Sequence, residues 1–272
     1  MKTRFKKVNG ENKMASGISI LGSGSLGNSI LIHNAENGIL VDAGFSRKEI
    51  LNRLNLLQIE PSIIKALLIT HEHEDHVRGS RILADHLGIS TYLTDETFRY
   101  LRSSNKIGEK KVLFDPGSPF QIEGFNIEPF TVQHDALQTV GFIIGTGDHK
   151  IGIATDLGHL NRLAIQRLRG CDAIVLECNY DTSMLRDSER PFFIKKRIMG
   201  RHGHLNNEDA INAFDEIITE KTRFIFLAHI SLECNSYELV RNLALEKLKI
   251  MQRTDILLNV IEQSRPLNTV WI

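Results

Sequence analysis

The sequence has few cysteines, no net charge and no long apolar run, and each shortage narrows the field. Cys171, Cys178 and Cys234 are the three thiols in 272 residues, and no two form a CxxC pair. An odd number at wide spacing argues against a disulfide framework and fits a reducing compartment. Lys and Arg number 33 and Asp and Glu number 33, so no global field announces a nucleic acid partner. No uninterrupted apolar run approaches the roughly 20 residues of a membrane span. The start, Met1 to Val8, is basic but lacks the apolar stretch of a secretory signal. A cytoplasmic protein with no membrane attachment is the expectation. Low-complexity linkers and short-period repeats are also missing. Residues 1–14 read as a loose extension and 15–272 as one domain, a length that can bury a sizeable core.

What the chain does have is concentrated at Ala66-Leu-Leu-Ile-Thr-His-Glu-His-Glu-Asp-His76. Ala66 to Thr70 reads as a buried strand. A helical pattern follows, with Val77, Ile82, Leu83 and Leu87 apolar and Gly88 as its stop. Between them stand His71, His73, Asp75 and His76. Three imidazoles and a carboxylate cannot enter a core unpartnered, because each unpaired polar group costs a few kcal/mol. Imidazole and carboxylate together suit zinc, manganese or iron. A charged, solvated helix start would explain one histidine, but not four candidate ligands in HxHxDH spacing.

Strand patterns precede the motif at 17–21, 29–33 and 38–41, with helical patterns at 46–57 and 62–65. The loop Gly22-Ser-Gly-Ser-Leu-Gly-Asn28 is either a plain hairpin connection or a phosphate-facing turn, in which Ser23, Gly24 and Ser25 would bind substrate. Asp42, ending the third strand, is either a turn residue or a partner that orients a ligand histidine. After the motif come a strand at 90–93 and a helix at 95–102 capped by Thr94. Segments near 111–114, 119–122, 125–132, 140–146 and 149–155 read as an antiparallel meander. Helices are expected at 159–169, 191–199, 207–220 and 237–250, and strands at 173–176, 224–228 and 255–261.

A catalytic metal site needs further ligands, and three polar residues leave apolar strands directly. His134 follows Phe130 to Gln133, Asp156 follows Ile151 to Thr155, and His229 follows Phe224 to Ala228. HxHxDH, then a lone His, an Asp in a Thr-Asp-Leu-Gly turn and a second lone His resemble the metallo-β-lactamase fold superfamily. Gly22 to Ser29, His134-Asp-Ala136, Ala154 to Gly158, Leu176 to Asp181, Gly203 to Ala210 and Leu227 to Ser231 resemble the bacterial YycJ/VicX/WalJ family. The likeness runs over roughly residues 17 to 265.

That resemblance implies an α+β fold, a four-layer αββα sandwich with two metals at one edge of its sheets. His71, His73 and His134 would hold one metal; Asp75, His76 and His229 would hold the second, and Asp156 would bridge them. Ligation without thiolate leaves zinc and manganese open. Two such cations lower the pKa of a bridging water and steady both attacking and leaving oxygens. The resemblance implies a DNA exonuclease working from the 5′ end, with Asp75 and Asp156 in the catalytic centre.

The metal site alone does not choose a substrate. A small-molecule hydrolase of a thioester, lactone or cyclic phosphodiester stays open, with a non-enzymatic binder behind it. The 73 positions from Asp156 to His229 leave little room for an inserted domain of the RNase J type. No trailing helical domain of the glyoxalase II kind is expected either. Two basic stretches favour nucleic acid: Arg99, Arg102, Lys106, Lys110 and Lys111 against Glu109, and Arg186, Arg190, Lys195, Lys196, Arg197 and Arg201 against Asp181, Asp187 and Glu189. Either could equally be a solvated face. Phe192 and Phe193 are expected to pack their helix onto the core rather than stack bases. Arg201-His-Gly-His204 is a polar turn or a source of a general acid, with His204 first and His202 second. Glu177 resembles a glutamate of RNase Z-like enzymes, but its Glu-Cys-Asn setting departs from their pattern.

Overall fold

Short runs of Ile, Leu, Val and Phe with no polar interruption suit strands covered on both faces, as parallel strands are. In the computed structural model, which describes residues 15–272, such runs build two sheets. The first contains Gly17–Gly22 (β1), Ser29–His33 (β2), Gly38–Val41 (β3), Ile64–Leu68 (β4), Ser90–Leu93 (β5) and Lys111–Leu113 (β6). The second contains Phe120–Ile122 (β7), Phe125–Thr131 (β8), Val140–Thr146 (β9), His149–Ala154 (β10), Ala173–Glu177 (β11), Phe224–Ala228 (β12) and Leu257–Val260 (β13). Val270–Trp271 (β14) returns to the edge of the first sheet beside β1, giving the order β14-β1-β2-β3-β4-β5-β6. The second sheet runs β13-β12-β11-β10-β9-β8-β7.

Alternation along each strand divides the side chains between two cores. Ile30, Ile32, Ile39 and Val41 meet Phe142, Ile153, Val175 and Phe226 between the sheets. Their neighbours Leu31, Leu40 and Leu67 face outward. There they pack under Arg47–Leu56 (α1), Ser80–Leu87 (α3) and Asp95–Ser103 (α4), the four-residue Glu74–Val77 (α2) lying between α1 and α3 in the chain. On the far side Ile174, Leu176, Ile225 and Leu227 pack under four helices. These are Arg162–Leu168 (α5), Asn207–Asn212 (α8), Phe214–Ile217 (α9) and Tyr237–Ile250 (α10). Thr182–Asp187 (α6) and Phe192–Ile198 (α7) form a smaller unit over Tyr180, Leu185, Ile198 and Cys234. The result is the expected αββα sandwich. Among the described residues no helix is long and apolar enough to cross a membrane. The expected extension at 1–14 lies outside the described residues.

Several local expectations need correction. The segment 62–65 is not helical: Pro61–Ile63 is a single 3₁₀ turn and β4 begins at Ile64. The strand accordingly ends at Leu68, not Thr70. β6 leaves the meander and pairs parallel with β5 in the first sheet. The helix expected over 207–220 breaks at Ala213 into α8 and α9 and is extended by Ile218. The helical pattern after the HxHxDH motif is split at Gly79, and Gly88 ends α3 in the left-handed conformation (φ 67°).

Topology aims the polar strand ends at one place. β3, β4 and β5 are parallel, as are β10 to β13, and β8 runs in the same direction as β10 through two antiparallel pairings. Asp42, the HxHxDH segment, His134, Asp156, Glu177 and His229 all leave or end the C-terminal edges of these strands. A backbone bond from Val140 N–H to the Thr70 carbonyl (3.1 Å) ties the two sheets together there.

Candidate metal centre

Three residues at this edge sit in the left-handed region although they are not glycine: Asp42 (φ 61°), Asp156 (φ 57°) and His229 (φ 56°). Each turns the chain within two residues of a strand's end. Such backbone costs about 1–3 kcal/mol and persists only where neighbours over-determine it. For His229 they do. Its N–H donates to Ser23 Oγ (3.0 Å) and its carbonyl accepts from Asn179 Nδ2 (2.8 Å). Asp42 donates its N–H to the Leu68 carbonyl (2.8 Å), and Ser29 Oγ donates to its carbonyl (2.9 Å). Gly44 is demanded by close approach: a Cβ there would lie 1.7 Å from the Asp75 carbonyl oxygen.

Hydrogen bonds to oxygen engage one ring nitrogen of His71, His76, His134, His204 and His229. Asp42 Oδ2 lies 2.7 Å from His76 Nδ1 and accepts from Thr70 Oγ1 (2.8 Å), and Oδ1 accepts from Thr70 N–H (2.8 Å). Thr70 Oγ1 in turn lies 3.0 Å from His71 Nδ1. Asp42 thus orients both rings, directly and through Thr70. His134 gives Nδ1 to the Gly203 carbonyl (2.9 Å). His229 gives Nδ1 to Glu177 Oε1 (2.9 Å), and so does His204 (2.7 Å). A ring nitrogen that donates to an oxygen acceptor fixes the tautomer and leaves the other nitrogen with the lone pair a metal needs.

The remaining donor atoms converge. Donor atoms of His71, His73 and His134 lie within 4.8 Å of one another, as do those of Asp75, His76 and His229 and those of His71, His76 and Asp156. Asp156 reaches both groups, with Oδ2 3.1 Å from His76 Nε2 and Oδ1 3.9 Å from His134 Nε2. His71 Nε2, His229 Nε2 and Asp156 Oδ2 are buried without a hydrogen-bond partner. Buried polar atoms are rarely left so. Orphaned acceptors from imidazole and carboxylate, with no thiolate nearby, fit divalent cations. Glu177 also clusters with Asp156, His204 and His229, but its role differs. Oε1 accepts from both histidines, and Oε2 accepts the N–H groups of Leu157 (2.8 Å) and Leu205 (3.3 Å). With its lone pairs so engaged, it serves as a support for the rings rather than as a ligand.

Electrostatics agrees with a site built for positive charge. Burial works against a charge on His76, but the carboxylates of Asp156, Asp42 and Asp75 outweigh it and hold the ring well above the ordinary imidazole value. For His229, burial is likewise overcome, by Asp156, Asp75 and Glu177. Asp156 itself is held well below the usual carboxylate range, despite burial, by His229 and His76. His71 goes the other way: burial and the neighbouring His76 keep it neutral. His204 is raised because Glu177 outweighs its burial.

The donors open into a cleft of about 230 Å³. His73, Asp75, Asp156, His229 and His204 line it, together with Ser25, Asn179, Asp135, Arg190 and Arg197. Of the residues expected to bind substrate, Ser25 alone reaches this cleft. Ser23 Oγ donates to Asn28 Oδ1 (2.7 Å), and Gly24 N–H donates to the same oxygen (2.9 Å). Leu26 N–H goes to Gln263 Oε1 (2.7 Å) and Gly27 N–H to the Gly24 carbonyl (2.9 Å). The loop therefore spends these donors on itself and its supports. It also braces the motif: Asn28 N–H donates to the Asp75 carbonyl (2.8 Å), and Asn28 Nδ2 lies 2.9 Å from His76 Nε2. His202 is exposed and is not among the residues lining the cleft.

The two basic stretches part company. Arg99 is paired with Asp95, Lys106 with Glu74, and Lys110 donates to the Gly88 carbonyl, and none of them lines the cleft. From the second stretch Arg190 and Arg197 do line it, held by Glu233 and Asp135. Phe192 and Phe193 do not pack onto the core; Ile194 and Ile198 dock α7 and leave both rings exposed. Glu177, Asn28, Thr70, Asn179 and Asp135 are the parts sequence reasoning left unassigned. Each lies beside a ligand motif, at a strand end or in a turn.

The chain matches the Beta-lactamase superfamily domain over residues 37–230. It is 33% identical over 225 residues to the exodeoxyribonuclease YycJ of Bacillus anthracis, covering 82% of this chain and 85% of that protein. The exodeoxyribonuclease WalJ of Streptococcus pneumoniae is likewise 33% identical over 225 residues, covering 81% and 84%. Among solved structures, the metallo-β-lactamase fold protein YhfI of Bacillus subtilis superposes with a TM-score of 0.70, covering 93% of this chain and 99% of that one. At 15% identity it speaks for the fold alone. Divalent metal binding goes with this fold and with the donor set described. The chain belongs to the beta-lactamase superfamily and, within it, to the family of the YycJ and WalJ proteins.

Proposed function

We propose that this metal-dependent hydrolase is a phosphodiesterase that uses two divalent cations, zinc or manganese, to degrade DNA from a 5′ end. The observation that carries the reading is the convergence of His71, His73, His134, Asp75, His76, His229 and Asp156, with three of their acceptor atoms buried and making no hydrogen bond. His71, His73 and His134 would hold one ion, Asp75, His76 and His229 the other, and Asp156 both. When bound, the pair would activate water and polarise the phosphodiester. The 33% identity to proteins named exodeoxyribonucleases supports DNA as substrate.

The chain's own contribution is orientation and a proton. Asp42 and Glu177 hold the rings of His76 and His229, so that the ligand nitrogens are set before substrate arrives. His204 is bound through Nδ1 to Glu177, lines the cleft and is the general acid, delivering a proton from Nε2 to the departing oxygen. Ser25 contacts the substrate, and His202, on the exposed turn before His204, is secondary to it. Arg190 and Arg197 add positive charge to the wall that receives phosphate.

The test is a substrate panel with manganese: 5′-labelled single- and double-stranded DNA and RNA, beside a thioester and a lactone. Nucleotide release from DNA, abolished by Asp75→Ala, is expected. Hydrolysis of the small esters alone would overturn the reading. His204→Ala should lower turnover on DNA by roughly 10²–10⁴-fold, with metal content intact. The loss should shrink on a p-nitrophenyl phosphodiester, whose leaving group needs no proton. Metal loss in that variant would remove His204 from the acid role.

A further inference from the structure

Arg197 is fastened to the candidate donor set through its backbone and through its side chain. It sits in the last turn of α7, and the turn that follows packs back against it. His204 N–H donates to the Ile198 carbonyl (2.9 Å) and Gly200 N–H to the Arg197 carbonyl (3.1 Å). A Cβ on Gly203 would lie 2.1 Å from the Ile198 carbonyl oxygen and 2.3 Å from that of Arg197, so only glycine allows this approach. The Gly203 carbonyl in turn receives His134 Nδ1 (2.9 Å). One turn therefore carries His204 and links the end of α7 to His134.

At the side chain, Arg197 Nε donates to Asp135 Oδ2. Asp135 directly follows His134, and its other oxygen, Oδ1, lies 3.2 Å from His134 Nε2 and 4.0 Å from His73 Nε2. This carboxylate stands between a guanidinium and the His73–His134 end of the donor set. The pair does little for stability: the Arg197 side chain is 60% exposed, and ion pairs so open to water contribute little. Its consequence is direction. With Nε held, the guanidinium plane is fixed, and its two Nη groups have no hydrogen-bond or ion-pair partner among the described residues. Arg197 lines the cleft, and two N–H-bearing nitrogens in one plane suit two oxygens of a phosphoryl group. Asp181, Asp187 and Glu189, the acids of the same segment, are not among the residues lining the cleft; its carboxylates are Asp75, Asp156 and Asp135 itself.

We propose that Asp135 is a positioning residue: by holding Arg197 it fixes where the non-bridging oxygens of the scissile phosphodiester sit, at the His73–His134 end of the cleft. Arg197 touches the substrate and Asp135 acts through it. The inference deepens the phosphodiesterase reading and rests on it. It also favours a phosphodiester over a thioester or lactone, whose single carbonyl oxygen engages half of the guanidinium.

The test measures rates with manganese on linear duplex DNA and on bis(p-nitrophenyl) phosphate, with metal content and Tm recorded for each variant. Arg197→Ala should lower kcat on both substrates by roughly 10²-fold, and Asp135→Asn by about 10- to 100-fold, with metal content and Tm unchanged. The losses should not multiply, and the double variant should match Arg197→Ala within about threefold. Millimolar guanidinium ion should restore part of the rate to Arg197→Ala but not to the double variant, because the ion needs its seat on Asp135. A deficit confined to KM on DNA and erased by salt would reduce Arg197 to general attraction and overturn the proposal. So would metal loss in Asp135→Asn, which would make Asp135 a ligand, or fully multiplicative losses in the double variant. A wild type inactive on both diesters fails the phosphodiesterase reading itself; an active wild type matched by Asp135→Asn fails this inference alone.

Discussion

At the scale of single residues, buried carboxylates orient the candidate donors: Asp42 holds His76, and Glu177 holds His204 and His229. Glu177 is fully buried and serves His204 and His229 with one oxygen while the other gathers two backbone N–H groups. Removing such a support typically costs 10- to 100-fold in activity or metal affinity, by roughly that range. Glu177→Gln keeps the shape but cannot accept from both rings on one charged oxygen. Turnover and metal affinity should therefore both fall, by about 10- to 100-fold, as measured by nuclease assay and metal titration. An unaltered metal affinity would confine Glu177 to His204. Burial pushes the Cys171 thiol up to about 12 and that of Cys178 higher still. The thiolate is the reactive form, so iodoacetamide should leave Cys171 and Cys178 unlabelled in the folded chain and label them in urea, as read by mass spectrometry.

At the scale of elements, the connections that hold the motif matter more than the helices beside it. The turn at Gly44 packs against the Asp75 carbonyl so closely that no side chain fits. Gly44→Ala must push back either the turn or α2. Overpacking costs about 1–3 kcal/mol or more, and Tm should drop by roughly 2–4 °C per kcal/mol, with weakened metal binding alongside. A full-stability variant would show that α2 yields freely. The same elements explain what could be read in advance. β2, β3, β5, β9, β12 and α10 stand where their apolar patterns end, and Gly88 stops its helix. The 62–65 segment was misleading because a short apolar run does not separate helix from buried strand. β6 carries no mark of its partner, since period-2 patterning says which face is buried but not which sheet is joined. His71, His134, Asp156 and His229 stand out in the sequence because each follows an apolar strand within three residues, and the structure brings their side chains together. Their supports, Thr70, Asn179 and Glu177, act through tertiary hydrogen bonds that spacing does not encode. The exposure of Phe192 and Phe193 was hidden for the same reason: Ile194 and Ile198 meet the apolar demand of α7.

At the scale of the whole molecule, two seven-stranded sheets meet so that strand ends from both contribute to one cleft. Neither sheet alone carries the donor set: His71, His73, Asp75 and His76 follow the first, His134, Asp156 and His229 the second. Cations held between them should therefore tie the sheets together. A ligand at 100 times its Kd stabilises by about 2.7 kcal/mol, so chelation should lower Tm by about 5 °C or more, reversibly on adding back manganese or zinc. A Tm indifferent to chelator would mean that the donors do not span the sheets through a metal. Purified wild-type protein and Asp156→Ala, measured side by side for metal content by plasma mass spectrometry, test the central claim most directly. The account predicts two divalent ions per chain in the wild type and less than one in the variant, because Asp156 is the donor proposed to serve both groups. A wild-type chain without divalent metal, or a variant that keeps its full complement, would contradict it.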